Sequence, residues 1–288
     1  MQLSRRVKAQ ATRGERPQRF RGYSVALLFE KRSTRTRAAF ETAIGQEGGH
    51  TAFLTRDDIH LGVKETIEDT ARVLGRMFDA IQFRGYQHAT AATLADWSGV
   101  PVINGLTDAF HPTQALADVL TLVEHRGDLA GAKLEYYGDA RNNVAHSLIL
   151  AARLAGLHLV FHCPSELQPD PAVVQTANTI SGPTWQLEIT EDVQPSADAD
   201  AIYTDVWVSM GEEAVENERR ALLGRYQVSQ QTLEAAPNAV FLHCLPAVRG
   251  NEVTAEVIDG SQSRVFDQAE NRKHTIKAIL LASLGLEH

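Results

Sequence analysis

The sequence predicts an α/β protein of two domains, each a parallel sheet with helices on both faces, with the active site in the cleft between them. Three observations predict it. Short apolar runs, the first at residues 24–28, alternate with stretches whose apolar residues recur at helical spacing. The alternation breaks at a polar stretch with a glycine near each end, residues 126–131, and then restarts. Polar clusters fall directly after the apolar runs, where open parallel sheets bind ligands. Strands alternating with helices imply a parallel sheet covered on both sides.

Each element has a local reason. After the strand at 24–28, Ala38, Ala39, Phe40, Ala43 and Ile44 mark one face of a helix, and Gly48-Gly49 stops it. Residues 50–54 read as a strand, and 66–77 as a helix whose face is Ile67, Ala71, Val73, Leu74 and Met77. A strand at 80–83 ends in Arg84-Gly85, a helix covers 89–97, and a short strand holds Val102 and Ile103. Pro112 suits the first position of the next helix, which runs through Val123. Beyond the break come a strand at 134–137, a helix at 144–155, a strand at 158–163, a helix at 171–180 and a strand at 186–189. Strands at 201–203 and 239–242 flank a polar helical stretch, and a long helix spans 267–283. The expected domains are therefore 1–126 and 127–266, with the segment 267–285 packing back on the first. Leu286, Glu287 and His288 read as the start of a tag and are set aside from the fold.

Composition narrows the function. The chain of 288 residues is 43% hydrophobic and 22% charged, an ordinary globular balance for two domains. A formal net charge of -8 argues against nucleic acid as a partner. No apolar run approaches the roughly 20 residues that span a bilayer. The basic start, with Arg5, Arg6 and Lys8, lacks the apolar core of a secretory signal. Two cysteines, Cys163 and Cys244, fit a reducing, cytoplasmic setting better than a disulfide scaffold.

Ser33, Thr34, Arg35 and Thr36 stand where the first strand gives way to a helix. Unpaired backbone N–H groups and the positive end of the helix dipole lie there. Hydroxyls and guanidiniums added at that spot make a cradle for a dianion, most simply a phosphate. Ser33 alone would read as a helix cap with solvated arginines beside it. The Gly-x-x-x-x-Gly-Lys loop is missing, which points to a small phosphorylated molecule rather than a nucleoside triphosphate. Arg84, His111 and Gln114 beside that cradle would hold an acyl oxygen and an amide. Asp205, at a strand end, could hold a cationic amine. Cys244 follows His243, but neighbours on a strand point to opposite faces, so His243 is poorly placed as its base. Arg272 could complete an anion clamp with Arg35 and Arg84. No tight Cys/His spacing is present, so no metal is expected.

The runs Ser33-Thr34-Arg35-Thr36-Arg37, His111-Pro112-Thr113-Gln114, Asp205-x-Trp207-x-Ser209-Met210-Gly211, His243-Cys244-Leu245-Pro246 and Glu270-Asn271-Arg272 resemble, in order, the motifs of ornithine carbamoyltransferases. The phosphate and His-Pro motifs are shared with aspartate carbamoyltransferases; the third and fourth runs resemble the ornithine branch. The resemblance implies transfer of the carbamoyl group of carbamoyl phosphate to L-ornithine, giving citrulline, with no cofactor. Ser33, Thr34, Arg35 and Thr36 would bind the phosphate. Arg84, His111, Gln114 and Arg272 would hold the carbonyl and amide, with Cys244 and Leu245 lining the same site. Asn143, Asp205, Ser209 and Met210 would bind ornithine. Arg84, His111, Asp205 and Cys244 are the catalytic candidates. A homotrimer or a multiple of it is implied, with His60, in a loop that reaches a neighbour's site, contributing to carbamoyl phosphate binding.

One departure is the short start: family chains usually carry more residues before the first strand, in a helix that commonly packs near the last one. Two other functions stay open on the residues: a carbamoyltransferase for another amine such as putrescine, and a non-catalytic carbamoyl-phosphate-binding protein. A dinucleotide-binding dehydrogenase fails because no Gly-x-Gly-x-x-Gly follows a strand.

Overall fold

The computed structural model describes residues 1–59, 64–208 and 216–287. The chain divides into two compact units, Met1–Leu120 with Glu270–His288, and Thr121–Ala269. His60, Ser209 and Met210 lie outside the described residues.

The first unit is built on β1 (Ser24–Phe29), β2 (His50–Thr55), β3 (Ala80–Arg84) and β4 (Val102–Leu106), all parallel, in the order β2-β1-β3-β4. Its helices are α1 (Gln2–Thr12), α2 (Thr34–Gly45), α3 (Ile67–Met77), α4 (His88–Ser98) and α5 (Pro112–Arg126), the last running on into the second unit. Strand residues alternate between two cores. Val25, Leu27 and Phe29 pack with Phe40 of α2, Val7 of α1 and Ile276, Leu280 and Leu281 of the closing helix. Ala26, Leu28, Ile81 and Phe83 pack on the other face with Ala71 and Leu74 of α3 and Ala91 and Leu94 of α4. Both faces are thus covered, as the near-continuous apolar strands require.

The second unit holds β5 (Lys133–Tyr137), β6 (His158–His162), β7 (Gln186–Thr190), β8 (Ala201–Thr204) and β9 (Val240–His243), parallel, in the order β7-β6-β5-β8-β9. Its further helices are α6 (Asn143–Ala155), α7 (Pro171–Thr179), α8 (Glu216–Leu223), α9 (Gln230–Ala235) and α10 (Ala255–Asp259). One face is covered by Val144, Leu148 and Ala177 of α6 and α7, the other by Leu233, Val257 and Ile258 of α9 and α10. With five residues, α10 is too short for periodicity to reveal.

The closing helix α11 (Val265–Ser283) joins the first unit from Glu270 onward. Two polar ties fasten that part. Buried Glu47 accepts from Arg19 at 2.6 and 2.7 Å and pairs with Lys277 of α11 at 3.0 Å. Lys8 of α1 donates to Asn271 at 2.7 Å, so the short N-terminal helix docks on the last one. Leu286 packs against the core around Ile276, and its N–H returns to the Leu281 carbonyl at 2.8 Å.

Strand order fixes where chemistry sits. In the first sheet the chain leaves β1 toward β2 on one side and continues from β3 to β4 on the other. In the second it leaves β5 toward β6 and β7, then returns to β8 beside β5. Each sheet reverses direction once, between β1 and β3 and between β5 and β8, and a crevice opens beyond the strand ends at such a reversal.

Candidate active site

At the first reversal, α2 begins immediately after β1. Ser33 caps it, its hydroxyl accepting the Thr36 N–H at 3.1 Å, so the capping reading of Ser33 is correct for its Oγ. Thr36 is fully buried, and its hydroxyl oxygen is shared by two guanidiniums: Arg84 Nη1 donates at 3.3 Å and Arg272 Nη2 at 2.9 Å. Arg84 ends β3 and Arg272 comes from α11, 236 positions after Thr36, so distant parts of the chain meet on one acceptor. Arg272 Nη2 also lies 3.4 Å from the Thr113 hydroxyl, which in turn lies 3.5 Å from His111 Nδ1. Gln114 is held by Asp118, one turn along α5, at 2.8 Å. Thr34 is exposed and Arg35 partly buried on the first turn of α2.

The electrostatics are one-sided. Arg84 and Arg272 are 6% and 2% exposed, and His111 is 4% exposed. Burial first, then the charges of Arg272, Arg84 and Arg35, hold His111 well below the ordinary histidine range. His111 is therefore neutral at physiological pH and can polarise a carbonyl only as an uncharged N–H donor. Two buried guanidiniums and the start of a helix favour a dianion carrying several acceptor oxygens.

At the second reversal the polar side chains follow β5, β8 and β9. Asn142 caps α6 by accepting the Ala145 N–H at 2.8 Å and donates to Tyr136 Oη at 2.8 Å. Asn143, partly buried, is the first helical residue. Asp205 is 7% exposed, and Cys244 Sγ donates to its Oδ1 at 3.0 Å. Burial pushes the Asp205 carboxyl up from the ordinary range, against smaller opposing effects of His243, the Cys244 thiol and the Val206 N–H. A carboxylate so placed is stabilised by an incoming cation.

His243 is occupied elsewhere. Its Nδ1 accepts the Leu245 N–H at 2.8 Å and its Nε2 lies 3.3 Å from buried Glu252 Oε1. The first contact makes Nδ1 the acceptor, so Nε2 carries the proton and donates to Glu252. The ring thus shapes the turn that carries Leu245, whose φ is +55°, a left-handed value that costs a non-glycine residue about 1–2 kcal/mol. The sequence-based objection to His243 as a base for Cys244 is answered by a contact: the thiol faces Asp205 and the imidazole faces Glu252. Asp205, His243 and Cys244 offer ligand atoms within 4.8 Å of one another, the one such group among the described residues. A metal there would have to displace a ring bond of His243, since both nitrogens are engaged.

The structure thus brings Arg84, Arg272, Thr36 and His111 together in the first unit, and Asp205 with Cys244 in the second. Sequence reasoning missed three residues that hold these groups. Thr113 was inside a quoted motif, and Asp118 stands four residues after Gln114, a spacing that alone signals a helix-face pair. Glu252 gave no signal, because it stands nine positions beyond His243, across loop and turn.

Two family models match the chain. The carbamoyl-P binding domain of aspartate/ornithine carbamoyltransferases matches residues 1–124, and the Asp/Orn binding domain matches residues 130–283. An ornithine carbamoyltransferase of Thermotoga petrophila is 54% identical over 99% of this chain and 92% of that protein. A catabolic ornithine carbamoyltransferase of Bacillus licheniformis is 46% identical over 99% of this chain and 91% of its own length. Among solved structures, the ornithine carbamoyltransferase from Pyrococcus furiosus superposes with a TM-score of 0.90 at 43% identity, covering 99% of this chain and 91% of that one. With two domain models spanning it and relatives of this identity at nearly full length, the chain belongs to the aspartate/ornithine carbamoyltransferase family.

Proposed function

We propose that this protein is an enzyme that transfers the carbamoyl group of carbamoyl phosphate to the side-chain amine of L-ornithine, giving L-citrulline and phosphate. The observation that carries the reading is Thr36, a buried hydroxyl on which Arg84 and Arg272 converge at the start of α2. Two buried cations on one hydroxyl at a helix start suit an anion, and Thr36 lies in the run that resembles the family's phosphate motif. Full-length relatives named ornithine carbamoyltransferase support ornithine over putrescine as the acceptor. Asp205 supports a cationic amino-acid ligand.

In the proposed reaction Ser33, Thr34, Arg35 and Thr36 hold the phosphoryl oxygens. Arg84, neutral His111, Gln114 and Arg272 take the carbonyl oxygen and amide, and the family resemblance assigns Cys244 and Leu245 to the same substrate. Asn143, Asp205, Ser209 and Met210 hold ornithine, Asp205 chiefly through its α-amino group. The uncharged side-chain nitrogen attacks the carbamoyl carbon and the carbon–oxygen bond to phosphate breaks. Phosphate leaves with the electron pair, and the nitrogen loses a proton. An alkyl amine has a pKa near about 10, so about one molecule in a thousand is reactive at neutral pH. Excluding water raises that fraction by disfavouring the ammonium. No step calls for a metal or a cofactor. The family resemblance further supports a homotrimer or a multiple of it, to whose sites His60 contributes, working in the cytoplasm. Among the described residues, no helix is long and apolar enough to cross a membrane.

The test is citrulline formation with carbamoyl phosphate and each of ornithine and putrescine. Product from ornithine, dependent on both substrates, is expected. Carbamoyl phosphate binding without product from either amine overturns the reading.

A further inference from the structure

Arg84 ends β3, and the cradle at the start of α2 follows the neighbouring strand β1. β1 and β3 run side by side only as far as the pair Phe29 and Arg84. Beyond it the chains part: α2 turns onto the face of Val25 and Leu27, while α4 turns onto the face of Ala26 and Leu28. One further backbone bond, Glu30 N–H to the Arg84 carbonyl at 2.8 Å, extends the ladder. Past that point the two loops are joined by side chains.

We propose that Glu30 is a positioning residue whose carboxylate ties the loop after β1 to the loop after β3, fixing Arg84 relative to the cradle; this rests on reading that pair as the phosphate site. Glu30 Oε2 accepts the Tyr86 N–H at 2.9 Å. Gly85 passes beneath it with no room for a side chain. A Cβ there would stand 2.2 Å from Glu30 Oε2 and 2.1 Å from the Phe83 ring. The neighbouring Lys31 crosses in the same direction, its ammonium 4.5 Å from the centre of the Tyr86 ring. The tie continues into a third loop. The Tyr86 carbonyl accepts the Asp108 N–H at 2.9 Å, and the Thr107 N–H reaches the Phe110 carbonyl at 2.8 Å, one residue before His111. A single carboxylate thus heads a run of bonds joining the three loops that carry the cradle, Arg84 and His111.

Glu30 is only partly buried and belongs to none of the apolar cores. Its loss should therefore loosen the site more than the fold. A misplacement of an ångström at such a site reduces rates by orders of magnitude.

Inorganic phosphate affinity by calorimetry, melting temperature and steady-state kinetics on Glu30→Ala, Glu30→Gln and Gly85→Ala test the proposal. Glu30→Ala should weaken phosphate and raise the KM for carbamoyl phosphate about tenfold, leaving the ornithine KM and the melting temperature in place. Glu30→Gln keeps a carbonyl acceptor for the Tyr86 N–H and should recover most of the loss. Gly85→Ala, which displaces the same carboxylate and also presses on the buried Phe83 ring, should reproduce the loss of phosphate affinity with a lower melting temperature. In the unchanged protein the Tyr86 amide should exchange slowly although its residue is 49% exposed; this reading needs no variant to fold. Unaltered phosphate affinity in Glu30→Ala, failure of Glu30→Gln to recover, or a Tyr86 amide exchanging at the free rate overturns the proposal. Citrulline assay of the unchanged protein separates the two readings: absent product with phosphate still bound overturns the transfer, while the phosphate affinities alone decide the role of Glu30.

Discussion

Replacing Thr36 with valine tests the shared acceptor directly. The residue is fully buried, and valine fills its volume while removing the oxygen that Arg84 and Arg272 both reach, at 3.3 and 2.9 Å. A hydrogen bond from a charged donor contributes about 1.5–3 kcal/mol, and the 3.3 Å contact belongs at the weak end of that range. Two guanidiniums then stay buried without that shared partner, and the phosphate loses a hydroxyl. A loss of about 2–4 kcal/mol in transition-state stabilisation follows, which lowers kcat/KM for carbamoyl phosphate about 30- to 1,000-fold. The ornithine KM at saturating carbamoyl phosphate should not move. Thr36→Ser restores the acceptor and should recover most of the rate. Urea unfolding with and without phosphate separates fold from site: in the parent, phosphate at 100 times its Kd adds about 2.7 kcal/mol, and in the valine variant most of that gain should vanish at the same concentration. A valine variant within about threefold of the parent in kcat/KM, with the phosphate gain intact, would refute the claim that this hydroxyl organises the arginines.

Arg35→Ala should abolish both turnover and competitive inhibition by phosphate; turnover at the parent rate would show that the cradle is misassigned. Cys244→Ala removes the thiol that supports the buried Asp205 carboxylate. It should raise the ornithine KM about fivefold and, because Cys244 is also assigned to the carbamoyl group, raise the carbamoyl phosphate KM by a smaller factor, an order that steady-state kinetics reads directly. Iodoacetamide should label Cys244 and spare Cys163, which is buried with its thiol pushed up to about 12, and ornithine should protect Cys244. Buried His274 supplies a pH dependence of stability. Burial lowers it from 6.5 to about 4 despite its bond to Glu270, with Lys273 and Lys8 adding to the fall. The unfolded chain then binds more protons than the native one between those values. Stability is complete above pH 6.5 and is lost as pH falls toward 4, by up to about 3 kcal/mol from this group. His274→Gln should flatten that limb in urea titrations across pH.

What the sequence could reveal follows from how far apart the interacting residues stand. The sheets were legible because a strand buried on both faces must read as an apolar run, and the helices because three or four residues per two turns must be apolar. The anion cradle was legible because Ser33, Thr34, Arg35 and Thr36 are consecutive and follow such a run. Gln114 and Asp118 could have been paired from a helical spacing of four. The contacts that set the chemistry have no such mark. Thr36 meets Arg272 across 236 positions because two helices bring them together, and Asp205 meets Cys244 across 39 because separate strands deliver them to one end of a sheet. His243 is the instructive case. The expectation that neighbours on a strand point apart was enough to reject it as the base for Cys244, yet it could not name Glu252, the carboxylate that takes its Nε2. Period-two geometry says which face a side chain leaves; only the folded loops say what waits there. A residue excluded from the chemistry by strand geometry can still be required by it, since the ring of His243 holds the turn in which Leu245 takes its left-handed backbone beside Cys244.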